Sequence, residues 1–87
     1  GKYDDAERLY KRTLVLRERE LGHDHPEVAI SLNNLAVLLK SQGKYSDAEP
    51  YSKRALAINE ETLGCDHPGV AINVNNLAEL LTCQVKP

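Results

Sequence analysis

Two short stretches hold the side chains best suited to chemistry. "LGHDHPEV" (Leu21–Val28) carries His23, Asp24 and His25; "LGCDHPGV" (Leu63–Val70) carries Cys65, Asp66 and His67. Imidazole, thiolate and carboxylate are zinc ligands, and a closed zinc site needs four of them within about 2.0–2.3 Å of one ion. Nothing in the spacing requires the two stretches to share an ion. A second reading accounts for more of the residues. Gly22 and Gly64 end one helix, Asp24 and Asp66 are placed to cap the next, and Pro26 and Pro68 suit its first turn. Asp24 with Glu27 reads as a capping box, which Gly69 interrupts in the second stretch. His23 gives way to Cys65 with its surroundings kept, which suits a surface loop better than a required ligand. No metal and no cofactor is expected. This reading gives His25 and His67 no role.

Catalysis finds no footing elsewhere. There is no nucleophile elbow, no phosphate loop and no carboxylate pair set in a pocket, so no enzyme is expected. Cys65 and Cys83 fall near opposite ends of one expected helix, about 22 Å apart, far beyond disulfide reach. The chain has 87 residues, with 11 Lys and Arg against 13 Asp and Glu, a net charge of −2. That balance gives no electrostatic footprint for nucleic acid. No apolar run is long enough for membrane insertion, and no charged-then-apolar leader opens the chain. Two cysteines without such a leader are expected to stay reduced, which points to the cytoplasm. Met is absent, position 1 included, as expected of a piece of a longer protein or a processed product.

The elements that position these stretches come from an internal repeat. Residues 1–42 aligned without gaps over 43–84 give 25 identities in 42 pairs. "GKYDDAE" lies over "GKYSDAE" and "LNNLAVLLKSQ" over "VNNLAELLTCQ"; residues 85–87 begin a third copy. A period of this size signals a solenoid, so residues 1–87 read as one repeat array. Within it, Val28, Leu32, Leu35 and Leu39 step by four and three along one helical face, and Ala29, Ala36 and Leu38 widen it. The spacing predicts four helices, roughly Lys2–Glu20, Pro26–Ser41, Tyr45–Thr62 and Pro68–Cys83. Gly43 in "SQGKY" supplies a left-handed residue between two of them, and Gly22 and Gly64 do the same at the other joints. Short connections turn neighbouring helices antiparallel. Pro50, where the first copy has Arg8, predicts a locally irregular start to the third helix.

Leu32, Leu35, Ala36 and Leu39, repeated as Val74, Leu77, Ala78 and Leu81, resemble the first-helix pattern of the tetratricopeptide repeat. The "QGKY" turn and the small residues Ala48 and Ala55 (Ala6 and Thr13 earlier) resemble its turn and second helix. The 42-residue length and the "LGxDHPxVA" joint are similar to the repeats of kinesin light chain and nephrocystin-3. The resemblance implies an all-α, right-handed α-solenoid of antiparallel helix pairs that serves as a protein-interaction scaffold. It also implies a concave groove lined by the first helices. Its carried-over places are Ile30, Asn33, Val37, Lys40 and Ser41, then Ile72, Asn75, Glu79, Thr82 and Cys83. Asn33 and Asn75 repeat, and an amide holds both a donor and an acceptor with which to clamp a peptide backbone. Val37 against Glu79 and Lys40 against Thr82 differ, so selectivity is expected there. With Lys40 the one basic residue in the groove, binding an acidic C-terminal tail is disfavoured.

Asn34 and Asn76 are expected to bond backbone at the turn, and "RERE" (Arg17–Glu20) to be a solvated face. The register starts with the second helix of one repeat and stops with the first helix of another. The expected partner is a protein or peptide along the first helices. The alternative is a structural segment that self-associates head to tail through its open end helices.

Overall fold

Pro26 fixes the backbone angle of a first helical turn, and the fifteen residues that follow it to Ser41 place apolar side chains on two faces. Both conditions are met in the computed structural model, which describes residues 1–85. Four helices follow one another: α1 (Lys2–Leu21), α2 (Pro26–Ser41), α3 (Tyr45–Leu63) and α4 (Pro68–Val85). Each packs on the next along the chain, and α2 also touches α4. The result is an all-α solenoid segment of antiparallel helix pairs. Its extents of 35 × 28 × 16 Å describe a slab whose thickness suits two helix layers about 8–10 Å apart.

The core lies along α2, which is covered by α1 on one side and α3 on the other. Val28, Ala29, Leu32, Leu35, Ala36 and Leu39 are buried there, with Leu14 from α1, Ala48, Ala55 and Ile58 from α3, and Leu80 from α4. Tyr45 and Tyr51 pack against its edge. Burial at roughly 25 cal/mol per Å² of apolar surface makes this cluster the main source of stability. Ala36 and Ala48 keep the paired helices close. Ser52 is fully buried beside them, and its hydroxyl has no hydrogen-bond partner among the described residues.

The turns are backbone devices. The chain leaves α2 through a Schellman closure, in which Lys44 N–H donates to Leu39 O at 2.9 Å and Gly43 N–H to Lys40 O at 3.0 Å. Gly43 has φ 79°. Gly22 (φ 88°, ψ 166°) and Gly64 (φ 88°, ψ 152°) differ from the expected left-handed helical shape. They occupy an extended region of positive φ that is open essentially to glycine alone.

Pro50 does not disrupt α3 as expected, and the helix runs continuously from Tyr45 to Leu63. The missing N–H leaves the Ser46 carbonyl without its helical partner. Both residues are exposed, a setting in which solvent satisfies a freed carbonyl at little cost.

Polar ties repeat with the fold. The Gln42 amide donates to Glu7 at 3.3 Å, and the Gln84 amide to Glu49 at 2.8 Å. Lys11 pairs with Glu7 at 2.8 Å and Lys53 with Glu49 at 2.5 Å. The end of each first helix is thereby fastened to the helix before it.

Candidate functional site

The two Gly-x-Asp-His-Pro joints are caps, and His rather than Asp is the capping residue. His25, not Asp24, is the N-cap of α2, and its Nδ1 accepts the Glu27 N–H at 3.1 Å. His67 Nδ1 accepts the Gly69 N–H in the same way at 2.9 Å. Pro26 and Pro68 are the first helical residues, which sets the cap at the residue immediately before them. Asp24 and Asp66 lie one residue too early. The expected capping box is not formed, because Glu27 reaches back to Arg17 at 3.2 Å. His25 and His67 therefore have the structural role that the sequence left open.

"RERE" is only partly a solvated face. Glu18 is half-buried, accepts from Arg54 of α3 at 2.7 Å and meets the His23 ring at 2.5 Å. Burial opposes ionisation of Glu18, but the Arg54 and His23 contacts outweigh it and hold its pKa below the usual carboxylate range. This cluster ties α1, the first joint and α3 together.

The first-helix layer has a different character. Cα atoms of α2 and α4 approach within 8 Å of each other, whereas no Cα of α1 comes within 8 Å of one in α3. The layer of first helices is the tighter one, which accords with a stack curved toward that layer. Most of the residues carried over by resemblance are exposed on α2 and α4 or line two hollows beside these helices. Ile30 is 59%, Val37 45% and Ile72 60% exposed, a degree of wetting that core residues do not tolerate. Ile30, Asn33 and Ile72 line a shallow hollow of about 190 Å³ together with Asn34, Asn59 and Asn73. Lys40, Glu79 and Thr82 line a second, of about 400 Å³, with Ala78 and Cys83.

Amides link the two inner helices. Asn76 Nδ2 donates to Asn33 Oδ1 at 3.0 Å, a side-chain bridge where a bond to turn backbone was expected. Asn34 is exposed. Asn75 Nδ2 donates to Glu79 Oε1 at 3.3 Å. The Asn33 amide nitrogen and the Asn75 carbonyl oxygen make no hydrogen bond among the described residues, and neither residue is buried. Below them Lys40 and Glu79 form an ion pair across the helices, and Lys40 holds the Glu79 pKa below its ordinary value. The sequence offered no signal for these bridges, which join residues 39 and 43 positions apart.

Helix pairs repeated along an axis, fastened by capped joints and presenting a side-chain-lined inner face, define a helical-repeat scaffold. The tetratricopeptide repeat family model matches residues 1–61 and again residues 39–85. The chain belongs to the tetratricopeptide repeat family, a non-enzymatic scaffold whose repeats mediate protein–protein interaction. No curated protein sequence matches the chain. No helix among the described residues is long and apolar enough to cross a membrane.

Proposed function

We propose that the inner face of α2 and α4 binds an extended segment of a protein partner. The observation that carries this reading is the wet row of Ile30, Ile72 and Val37, flanked by amides. Apolar side chains provide burial for a bound chain, and the unbonded amide groups of Asn33 and Asn75 offer one donor and one acceptor to its backbone. Lys40, Glu79 and Thr82 form the variable end of the face, where sequence preference would arise. Lys40 is already neutralised by Glu79, which weighs against an acidic C-terminal tail as the ligand.

The 42-residue period and the joint sequence support a cargo- or adaptor-binding module of kinesin-light-chain type. Cys65 and Cys83, free and separated by α4, accord with a reducing, cytoplasmic setting. A net charge of −2 accords with protein rather than nucleic-acid partners. Selection from a displayed library of random peptides tests the reading. Selected peptides should lose at least tenfold in affinity on Ile72→Asp and on Asn75→Ala, as expected for residues at the centre of an interface. Unchanged binding by both variants would discard the inner face as the site.

A further inference from the structure

Three positions of the repeat change together between its two copies. Arg17, Glu27 and Ser31 become Asn59, Gly69 and Asn73. In the first copy Arg17 on α1 and Glu27 on α2 form an ion pair at 3.2 Å. The second copy keeps neither long charged side chain. Asn59 on α3 donates instead to Asn73 Oδ1 on α4. Asn59, Gly69 and Asn73 line the hollow of about 190 Å³ together with Ile30, Asn33 and Ile72.

Helix pairing does not require this amide pair, because α1 packs on α2 with Ser31 at the place of Asn73. Asn73 is only 3% exposed. Its amide nitrogen makes no hydrogen bond among the described residues, and neither does the Asn59 carbonyl oxygen. Exchanging donor and acceptor within the pair leaves the same balance, one free nitrogen and one free oxygen. An amide group buried without a partner costs stability. Here both free groups belong to side chains that line a hollow beside the exposed Ile30 and Ile72.

None of the lining residues is ionisable, so a charged group entering the hollow loses water without meeting a counter-charge. The pair offers a donor and an acceptor on separate residues. A carboxamide carries its own acceptor and donor on separate atoms, whereas a hydroxyl carries both on one. We propose that this hollow is a subsite for a carboxamide side chain, Gln or Asn, of the protein segment bound on the inner face. Asn59 and Asn73 are its specificity-determining residues. The carboxamide N–H donates to the Asn59 oxygen, and its oxygen accepts from the Asn73 nitrogen, between the apolar walls of Ile30 and Ile72. This subsite rests on the inner face as the binding surface and adds the residue type that the face selects.

Peptides selected from a displayed random library against the whole chain, followed by isothermal titration calorimetry, test it. The selected peptides should share Gln or Asn at one position. Replacing that residue by Glu or by Met should weaken binding at least about tenfold, because the amides of the subsite are then left unpaired. Asn73→Ser installs the residue of the first copy, so far-UV circular dichroism should stay unchanged while most of the difference between Gln and Met peptides disappears. Asn59→Arg combined with Gly69→Glu rebuilds the ion pair of the first copy and should do the same by filling the hollow. Selected peptides that share no carboxamide, or share Ser or Thr instead, overturn the proposal. So does a Gln-to-Met penalty that survives in both variants. If Asn75→Ala still weakens binding in that event, the inner face stands without the subsite. If binding ignores Asn75→Ala and Ile72→Asp as well, the inner-face reading falls with it.

Discussion

Replacing His25 by Ala removes one identifiable hydrogen bond, and the size of the effect follows from the first turn of α2. Pro26 has no N–H to satisfy. The N–H groups of Val28 and Ala29 already reach the His25 carbonyl, at 2.9 and 3.2 Å. Only the Glu27 N–H depends on the ring, at 3.1 Å. That N–H lies at the surface, where water partly replaces the lost acceptor. The cost is therefore about 1 kcal/mol, in the middle of the range for removing an N-cap. In a domain of this size it should lower Tm by roughly 4–8 °C. Urea unfolding followed by far-UV circular dichroism, with an unchanged m-value, is the assay. His25→Asn keeps an acceptor at the cap and should stay close to wild type. Asp24→Ala touches no cap and should shift stability by less than about 0.5 kcal/mol. The reasoning is refuted if Asp24→Ala costs as much as His25→Ala, or if Asn at position 25 is no better than Ala.

Three further outcomes rest on single groups. Ser52→Ala deletes a buried hydroxyl that has no partner, so it should leave stability unchanged or raise it by up to about 1 kcal/mol in the same urea assay. Gly22→Ala meets no atom within 4 Å, yet it forces a side chain onto a glycine-only backbone shape and should cost about 1–3 kcal/mol in thermal unfolding. Lys11, then Lys44 and Gln42, hold the Glu7 pKa down from 4.5 to about 2. A carboxylate with a depressed folded pKa stabilises the fold above its unfolded pKa and loses that contribution as pH falls through the folded one. Glu7→Gln should thus be the less stable protein at neutral pH, and a pH series of urea midpoints should show the gap closing between pH 4.5 and about 2.

The repeat made the helices readable, because each helix boundary is written twice. α2 has the bounds read from the sequence, and the others end within two residues of theirs. The glycine joints were readable for the same reason, since only glycine occupies such backbone angles cheaply. The cap was misassigned although a signal for it existed. Proline favours the first helical position, so the residue before Pro26 and Pro68 is the cap, and that residue is His. The amide bridge from Asn33 to Asn76 and the Glu18–Arg54 tie join different repeats. Their partners are fixed by how helices lean on one another, which local spacing does not encode. Pro50 was weighed as a breaker inside a helix, but its cost depends on whether the freed Ser46 carbonyl is wet, and burial settles that. The inner-face residues came from resemblance. Their wetness and their mutual bonds came from packing.

The central claim is that the inner face of α2 and α4 is where a protein partner binds. Titrating the isotopically labelled chain with a selected peptide and following its amide and methyl signals tests this most directly. The expected shifts concentrate at Ile30, Asn33, Val37, Ile72, Asn75 and Glu79, with α1 silent. Shifts confined to α1 and α3 would contradict it.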